Sequence, residues 1–192
     1  NYALAQHSYP TRTLEEVRCF VGNGIRKLID RAVPEGTSVE KTDKVFATFR
    51  EYYATHSRVK TSMYEGMEQV MDALKEQNIS MAIVSNKADD AVKDLAKYYF
   101  AKYIDVAIGE REGISRKPAP DSVYEAMRLL GATKENTVYV GDSDVDRATA
   151  KNAGIPCISV TWGFRSEELL VSLEPEYLIH KPEEILSVVT GK

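Results

Sequence analysis

The spacing of apolar residues changes once along this chain and so divides it into two regions. Up to about residue 60, apolar positions recur every three to four residues, the spacing of amphipathic helices, and no strand pattern interrupts them. The predicted helices of this first region are Leu14–Phe20, Ile25–Ala32 and Val39–His56. The pattern therefore predicts an all-helical region that ends near Lys60.

Short apolar runs alternate with helical patterns in the second region, from residue 61 to residue 192. Strands that alternate with helices are typical of a parallel sheet with right-handed crossovers. We predict an α/β fold, with a Rossmann-like core that closes with an edge strand and a helix. The predicted strands are Ile79–Val84, Ile104–Ile108, Thr137–Val140, Ile155–Val160 and Tyr177–Ile179, and the closing helix is Pro182–Val189.

An acidic turn, Gly141-Asp142-Ser143-Asp144-Val145-Asp146, directly follows the strand predicted at 137–140. The carboxyl end of a parallel strand is where α/β folds build their sites, and carboxylates there can hold a hard metal ion. Two aspartates four residues apart, such as Asp142 and Asp146, can place one oxygen on the metal and a second carboxylate behind it. A purely structural alternative stays open, because Asp and Ser also cap helices by accepting hydrogen bonds from free amides.

Two further segments carry polar groups that suit the same edge. Ser85 and Asn86 follow the first predicted strand, and Lys117 begins the segment Lys117-Pro118-Ala119-Pro120-Asp121, whose prolines forbid helix and fix a stiff loop. Taken singly, Ser85 could cap the next helix and Lys117 could be a solvated surface lysine. Taken together with the acidic turn, these groups suit a transferring phosphoryl group, whose negative charge must be met by fixed donors and cations. We expect Lys117 and Asp142 to be exposed at the rim of this site.

Composition narrows the range of functions and partners. The chain has 192 residues, 43% of them hydrophobic, which suffices for one buried core and a small helical lobe. A net charge of −4 provides no broad positive field for nucleic acid, and no apolar run approaches the ~18 residues of a membrane span. We therefore expect neither nucleic acid nor a membrane as a partner. Cys19 and Cys157 lie far apart beside apolar residues, so we expect reduced, buried thiols and a cytoplasmic location.

The order of these segments resembles that of the haloacid dehalogenase-like phosphohydrolases. The strand ending in Ser85, the loop Lys117–Asp121 and the turn Gly141–Asp146 are similar to the second, third and fourth motifs of that family. Within the family, the resemblance is strongest to the phosphoglycolate phosphatase group, whose cap signature is similar to Val21–Leu28. The resemblance implies a three-layer Rossmann-like core with a parallel sheet at 61–192 and a small α-helical cap domain at 1–60.

The resemblance also implies a role for each residue of the core. Ser85 would bind a phosphoryl oxygen with help from the backbone amide of Asn86, and Lys117 would neutralise both the nucleophile and the phosphoryl charge. Asp142 would be the direct Mg²⁺ ligand, since Mg²⁺ prefers oxygen ligands and bridges readily to a substrate phosphate. Asp146 would support the metal shell or orient Lys117.

Three assignments that follow from the resemblance keep an alternative. Asp144 is expected to face solvent, although an exchange of roles between Asp144 and Asp146 stays open. In the resembling group the loop that carries Gly24 and Arg26 faces the active site, which implies that both contact the substrate. Gly24 could instead permit only a turn, and Arg26 could point to solvent.

One motif of the family has no counterpart in this sequence. No segment reads as an apolar strand followed by Asp-x-Asp-Gly-Thr, which in the family supplies the nucleophile. Tyr2–Ala5 is similar to the middle of the first cap helix, which in the family follows that motif closely. We therefore expect roughly 20 residues, with one strand, its catalytic turn and part of a helix, to precede Asn1. That strand is central in the family's sheet, so its loss would leave backbone groups unpaired at about 1–3 kcal/mol each.

These implications favour a Mg²⁺-dependent phosphomonoester hydrolase that acts on a small phosphorylated metabolite through an aspartyl-phosphate intermediate. Phosphoglycolate is the first substrate to test. A phosphosugar mutase on the same scaffold and a catalytically inactive binding or regulatory protein stay open as alternatives, whereas Asp142 as a metal ligand argues against dehalogenase chemistry. We expect a monomer or a homodimer.

Overall fold

The computed structural model describes residues 1–21 and 24–191, so Gly22 and Asn23 of the predicted cap signature lie outside the described residues. The chain forms two compact units, Asn1–Ser62 and Met63–Lys192. Within the described ranges, no helix combines the length and the apolar character that crossing a membrane requires.

The first unit is helical. Its helices are α1 (Tyr2–Gln6), α2 (Leu14–Phe20), α3 (Gly24–Ala32) and α4 (Val39–His56). Helices α2 and α4 have the predicted bounds, and α3 begins one residue earlier than predicted. Their apolar faces meet in one cluster, whose buried members are Ala3, Leu4, Ile29, Ala32, Val33 and Val45.

Local capping sets where two of these helices begin. At the start of α2, Glu16 N donates to Thr13 Oγ1 (3.2 Å) and Thr13 N donates to Glu16 Oε2 (2.7 Å), which satisfies two amides at once. At the start of α4, Lys41 N donates to Ser38 Oγ (3.4 Å). Such caps depend on neighbouring residues alone, and they lie at the boundaries that the apolar spacing predicted.

The second unit alternates helices and strands. In chain order, its elements are α5 (Met67–Glu76), β1 (Met81–Ala88), α6 (Asp89–Tyr99), β2 (Ile104–Glu110), α7 (Asp121–Leu130), β3 (Tyr139–Gly141), α8 (Asp144–Ala153), β4 (Cys157–Val160), α9 (Glu167–Ser172), β5 (Tyr177–Ile179) and α10 (Glu184–Thr190). All strand pairs are parallel, which confirms the predicted α/β class.

The described strands form two parallel sheets. Strands β1 and β2 make the first sheet, and the second has the order β3-β4-β5. Within the part of the chain that the structure describes, no ladder joins β1 to β3, and each of these strands has one open edge. Val140 on β3 is 43% exposed, which is unusual for an apolar residue in the inner part of an α/β unit.

An irregularity in β1 lies where polar residues were predicted at the strand end. Val84 pairs with Ile108 and Ala88 with Glu110, so β1 accommodates extra residues opposite β2. These residues, 85–87, form a bulge, and bulges are frequent next to active sites. Strand β1 therefore extends beyond the predicted end at Val84.

Gly109 on β2 permits the close approach of the chain at this bulge. A Cβ at Gly109 would lie 2.6 Å from the carbonyl oxygen of Lys87 and would also overlap the backbone of Asp89. The Gly109 amide instead donates to Asp89 Oδ1 (2.8 Å). A side chain at this position would push the bulge away from β2.

A buried cluster brings β1 and β3 together although they share no ladder. Val84 of β1 packs against a group of buried residues that includes Tyr139 of β3. The buried members of this cluster are Val123, Met127, Tyr139, Ala150, Ala153, Ile155 and Cys157. The carboxyl ends of β1 and β3 are thus held on the same side of the unit.

The prediction that both thiols are buried is wrong for Cys19. Cys157 is fully buried, but Cys19 is exposed, because α2 has no buried residue. Burial raises the pKa of the Cys157 thiol to about 11.

We expect one fast-reacting thiol in the native protein. Cys19 should react with dithionitrobenzoate at pH 8, whereas Cys157 should react only after denaturation, since it is both inaccessible and protonated. Counting released thiolate in native and denatured samples measures this. Cys19→Ser should abolish the fast phase, and a full fast equivalent in that variant would contradict the burial of Cys157.

Candidate active site

Lys117, in the loop between β2 and α7, lies at the centre of the candidate site. Its ammonium donates to Asp146 Oδ1 (2.7 Å) and to Tyr139 Oη (3.0 Å). Its side chain is 12% exposed and that of Asp146 is 10% exposed. The prediction of an exposed rim lysine is therefore wrong, because the lysine folds inward to reach a buried carboxylate.

The side chain of Asn86 attaches the Lys117 loop to β1. Asn86 Oδ1 accepts from Lys117 N (2.8 Å), and Asn86 Nδ2 donates to Lys117 O (3.0 Å). Both ends of the amide are thus engaged by the backbone of one residue. The side chain of Asn86 positions the loop, and only its backbone amide is left for the predicted substrate contact.

Ser85 lies beside Asn86 in the bulge and is half-buried. Its Oγ accepts from Lys87 N (3.1 Å), so its hydroxyl proton remains available to another acceptor. The residue at the N-cap of α6 is Ala88, and no side chain caps that helix. The alternative in which Ser85 serves as the helix cap is therefore wrong.

Asp142 follows β3 directly and is held by the loop after β4. Its Oδ2 accepts from Phe164 N (2.7 Å). Gly163 is buried beside it, and a Cβ at Gly163 would overlap the Asp142 carboxylate. Burial and the nearby charge of Asp146 raise the pKa of Asp142, while the Phe164 amide opposes that shift.

Asp146, in the first turn of α8, is the most heavily engaged carboxylate of the site. Besides Lys117, Oδ1 accepts from Tyr139 Oη (2.9 Å), and Oδ2 accepts from Ser143 Oγ (2.6 Å) and Asp142 N (3.3 Å). Burial alone would raise the pKa of Asp146, but the Lys117 ammonium and these donors bring it below its ordinary value. Asp146 is thus ionised and orients Lys117.

The structure distinguishes Asp144 from Asp146. Asp144 Oδ1 accepts from Arg165 Nε (2.9 Å), whereas Asp146 pairs with Lys117. The helix-capping interpretation of the turn holds for Ser143, whose Oγ accepts from Asp146 N (3.3 Å) at the start of α8. Because Ser143 serves as the cap, Asp142 is not needed for that role.

Asp142 is the residue best suited to hold a divalent cation. Among the described residues, no group of three or more His, Cys, Asp or Glu gathers into a cage made by protein alone. Mg²⁺ does not need such a cage, because it keeps several waters and binds through one or two carboxylates and a substrate phosphate. Phe164 N donates to Oδ2 and so fixes the Asp142 carboxylate at the end of β3. This donor set fits Mg²⁺.

The two substrate-binding residues predicted in the helical unit, Gly24 and Arg26, have structural roles within that unit. Arg26 Nε donates to Asp30 Oδ1 (2.8 Å), and its Nη1 is bonded to Asp43, so a substrate carboxylate would compete with two aspartates. Gly24 begins α3 with a φ of 85°, a conformation that favours glycine. The substrate contacts of Gly24 and Arg26 stay predictions.

Tyr139 and Gly163 were not identified from the sequence. A tyrosine within an apolar strand is a weak signal, although a buried phenol usually needs a hydrogen-bond partner. Burial and the Asp146 charge raise the pKa of Tyr139 well above its ordinary value, so the phenol keeps its proton. Gly163 gave no local signal, since its importance arises from contact with a residue of another strand end.

Comparison with known proteins identifies the family of this chain. The haloacid dehalogenase-like hydrolase family matches residues 1–160. Phosphoglycolate phosphatase 1 of Pseudomonas aeruginosa is 30% identical over 95% of this chain and 69% of its own length. Pyrophosphatase PpaX of Halalkalibacterium halodurans is 30% identical over 80% of this chain and 72% of its own.

A solved structure is similar over the whole chain. The crystal structure of a candidate phosphoglycolate phosphatase from Lactobacillus delbrueckii subsp. bulgaricus superposes with a TM-score of 0.93 at 30% identity. It covers 100% of this chain and 89% of that one. The chain belongs to the haloacid dehalogenase-like hydrolase family and is similar to its phosphoglycolate phosphatase and PpaX members.

Proposed function

We propose that this family phosphatase hydrolyses the phosphate ester or anhydride of a small metabolite in a Mg²⁺-dependent reaction. One observation carries the proposal: Lys117 is bonded both to Asn86 at the end of β1 and to Asp146 behind β3. Lys117 therefore connects the segment that carries Ser85, at the carboxyl end of β1, with the turn that carries Asp142, at the carboxyl end of β3, and α/β folds bind ligands at such strand ends.

The hydrogen-bond donors that the folded protein leaves free determine which ligand the site can bind. Two of the three N–H groups of the Lys117 ammonium are engaged by Asp146 and Tyr139, and the third is available to a phosphoryl oxygen. The Ser85 hydroxyl supplies a second donor. Fixed donors of this kind stabilise the charge that spreads over the phosphoryl oxygens in the transition state.

Asp142 would hold Mg²⁺ through the carboxylate oxygen that Phe164 does not engage. When bound, the cation would neutralise phosphoryl charge and help to position the phosphate. Asp146 would orient Lys117 rather than bind the metal, because both of its oxygens already accept hydrogen bonds.

The attacking aspartate would come from outside these 192 residues, on a strand that fits between β1 and β3. The open edges of both strands and the exposure of Val140 support this placement. A strand there would end beside Ser85, Lys117 and Asp142, so an aspartate after it could attack the phosphorus and form an aspartyl-phosphate. A second aspartate nearby would protonate the leaving alcohol and then activate water.

The names of the relatives suggest which substrates to test. One similar protein is called a phosphoglycolate phosphatase and another a pyrophosphatase. Phosphoglycolate and pyrophosphate both carry a second anionic group close to the phosphate. We expect the full-length protein to turn over at least one of them faster than para-nitrophenyl phosphate when phosphate release is measured in a panel. Equal, uniformly slow turnover would contradict this substrate class.

The cytoplasmic location and the monomeric or homodimeric state stay predictions.

Replacement of Asp142 or Lys117 in the full-length protein should remove most phosphatase activity. Asp142→Asn is nearly isosteric and loses only the charge, whereas Lys117→Ala also leaves Asp146 buried without its cation, at a cost of about 3–5 kcal/mol. Ser85→Ala should lose roughly 10²–10³-fold, as for one transition-state donor. Steady-state hydrolysis of para-nitrophenyl phosphate measures these effects.

Thermal unfolding of each variant is the control for these replacements. If Lys117→Ala does not fold, the activity of the Asp142→Asn variant alone tests whether the site is catalytic. Wild-type turnover by a folded Asp142→Asn variant would contradict the proposed role of Asp142 as the Mg²⁺ ligand.

A methyl group at Gly163 should weaken Mg²⁺ binding, because it would displace the Asp142 carboxylate. We expect Gly163→Ala to require at least tenfold more Mg²⁺ for half-maximal activity and to lose the Mg²⁺-dependent rise in melting temperature. The matched control is Ser166→Ala, which removes the cap of α9 in the same loop without touching Asp142. If both variants respond to Mg²⁺ as the wild type does, Gly163 does not position the ligand.

A further inference from the structure

The hydroxyl of Tyr139 closes a three-membered ring of hydrogen bonds with Lys117 and Asp146. Lys117 Nζ donates to Tyr139 Oη (3.0 Å), Tyr139 Oη donates to Asp146 Oδ1 (2.9 Å), and Lys117 Nζ also donates to Asp146 Oδ1 (2.7 Å). The acceptor and donor capacities of the phenol are both used within the ring. Tyr139 is itself buried, so water does not readily replace it.

The ring restricts how the Lys117 ammonium can turn. An ammonium bound to one carboxylate oxygen can rotate about that contact, and its other two N–H groups then sweep a wide arc. A second acceptor in a fixed place removes this rotation and leaves one N–H with one direction. The cost of holding a flexible lysine in one orientation is thereby met in the folded protein before a ligand arrives.

We propose that Tyr139 is a positioning residue for Lys117: its hydroxyl fixes the ammonium so that the remaining N–H points toward the phosphoryl group. This inference rests on the proposed phosphatase function. It concerns the hydroxyl alone, because the aromatic ring has a separate role in the buried cluster between α7, α8 and β4. Tyr139→Phe keeps the aromatic ring and removes only the hydroxyl to which the positioning effect is assigned.

The chain offers a matched control in a second buried tyrosine. Tyr103 Oη accepts from Lys102 Nζ (3.3 Å) and donates to Asp72 Oδ1 (3.1 Å), the same lysine–tyrosine–aspartate arrangement away from the candidate site. Tyr103 is also buried, at 7% exposure, as is Tyr139. Tyr103→Phe therefore removes the hydroxyl of a buried tyrosine without affecting Lys117, at a place nearer to solvent, where Lys102 and Asp72 are 60% and 43% exposed.

The experiment compares Tyr139→Phe, Tyr103→Phe and the wild type in the full-length protein with saturating Mg²⁺. We expect Tyr139→Phe to lower kcat for para-nitrophenyl phosphate about 10- to 100-fold, the range that corresponds to one hydrogen bond to a charged group, with less than a threefold change in KM. Inhibition by orthovanadate should weaken by a similar factor. Tyr103→Phe should keep wild-type kcat, and melting temperatures show how much stability each variant loses.

Two results would overturn the inference. Wild-type kcat in Tyr139→Phe would show that the hydroxyl does not act through Lys117. Losses of kcat that track the loss of melting temperature in both variants would show a general structural effect. Either result leaves the phosphatase function intact if the wild type is active and Asp142→Asn is not, so the two proposals fail separately.

Discussion

The buried ion pair between Lys117 and Asp146 is the interaction on which the arrangement of the candidate site depends. Removing two charges from water is costly, and their attraction offsets that cost only when geometry and further hydrogen bonds are favourable. Here the carboxylate accepts from four groups in all, and the backbone of Lys117 is held by Asn86. One contact thus connects the bulge of β1, the loop before α7 and the turn after β3.

The same contact explains how two sheets without a common ladder can present one site. Strands β1 and β3 each pair on one side only, yet Val84 packs onto the cluster that contains Tyr139. Side-chain packing and the hydrogen bonds of Lys117 therefore hold the carboxyl ends of β1 and β3 close together. Open backbone edges are prone to pairing, and this supports the strand proposed between β1 and β3.

Local patterns were sufficient to predict much of this fold and part of the site. Helical spacing is local, so α2 and α4 were predicted with their observed bounds, and Thr13 and Ser38 cap them there. Ser85, Lys117, Asp142 and Asp146 were predicted as site residues because strand ends and proline loops can be recognised in sequence.

Contacts between distant segments could not be predicted in the same way. The amide of Asn86 holds Lys117 from 31 positions away, and the choice between Asp144 and Asp146 depends on Arg165, which pairs with the former. The contact of Gly163 with Asp142 likewise joins two different strand ends. The spacing of residues along the sequence does not specify which distant segments come into contact in the fold.

A crystal structure of the full-length protein with Mg²⁺ and orthovanadate would show whether Lys117, Ser85 and Asp142 converge on one ligand. We expect one vanadate within hydrogen-bonding distance of both Lys117 Nζ and Ser85 Oγ, beside a cation on Asp142. Vanadate bound elsewhere, with these three side chains contacting no common ligand, would contradict it.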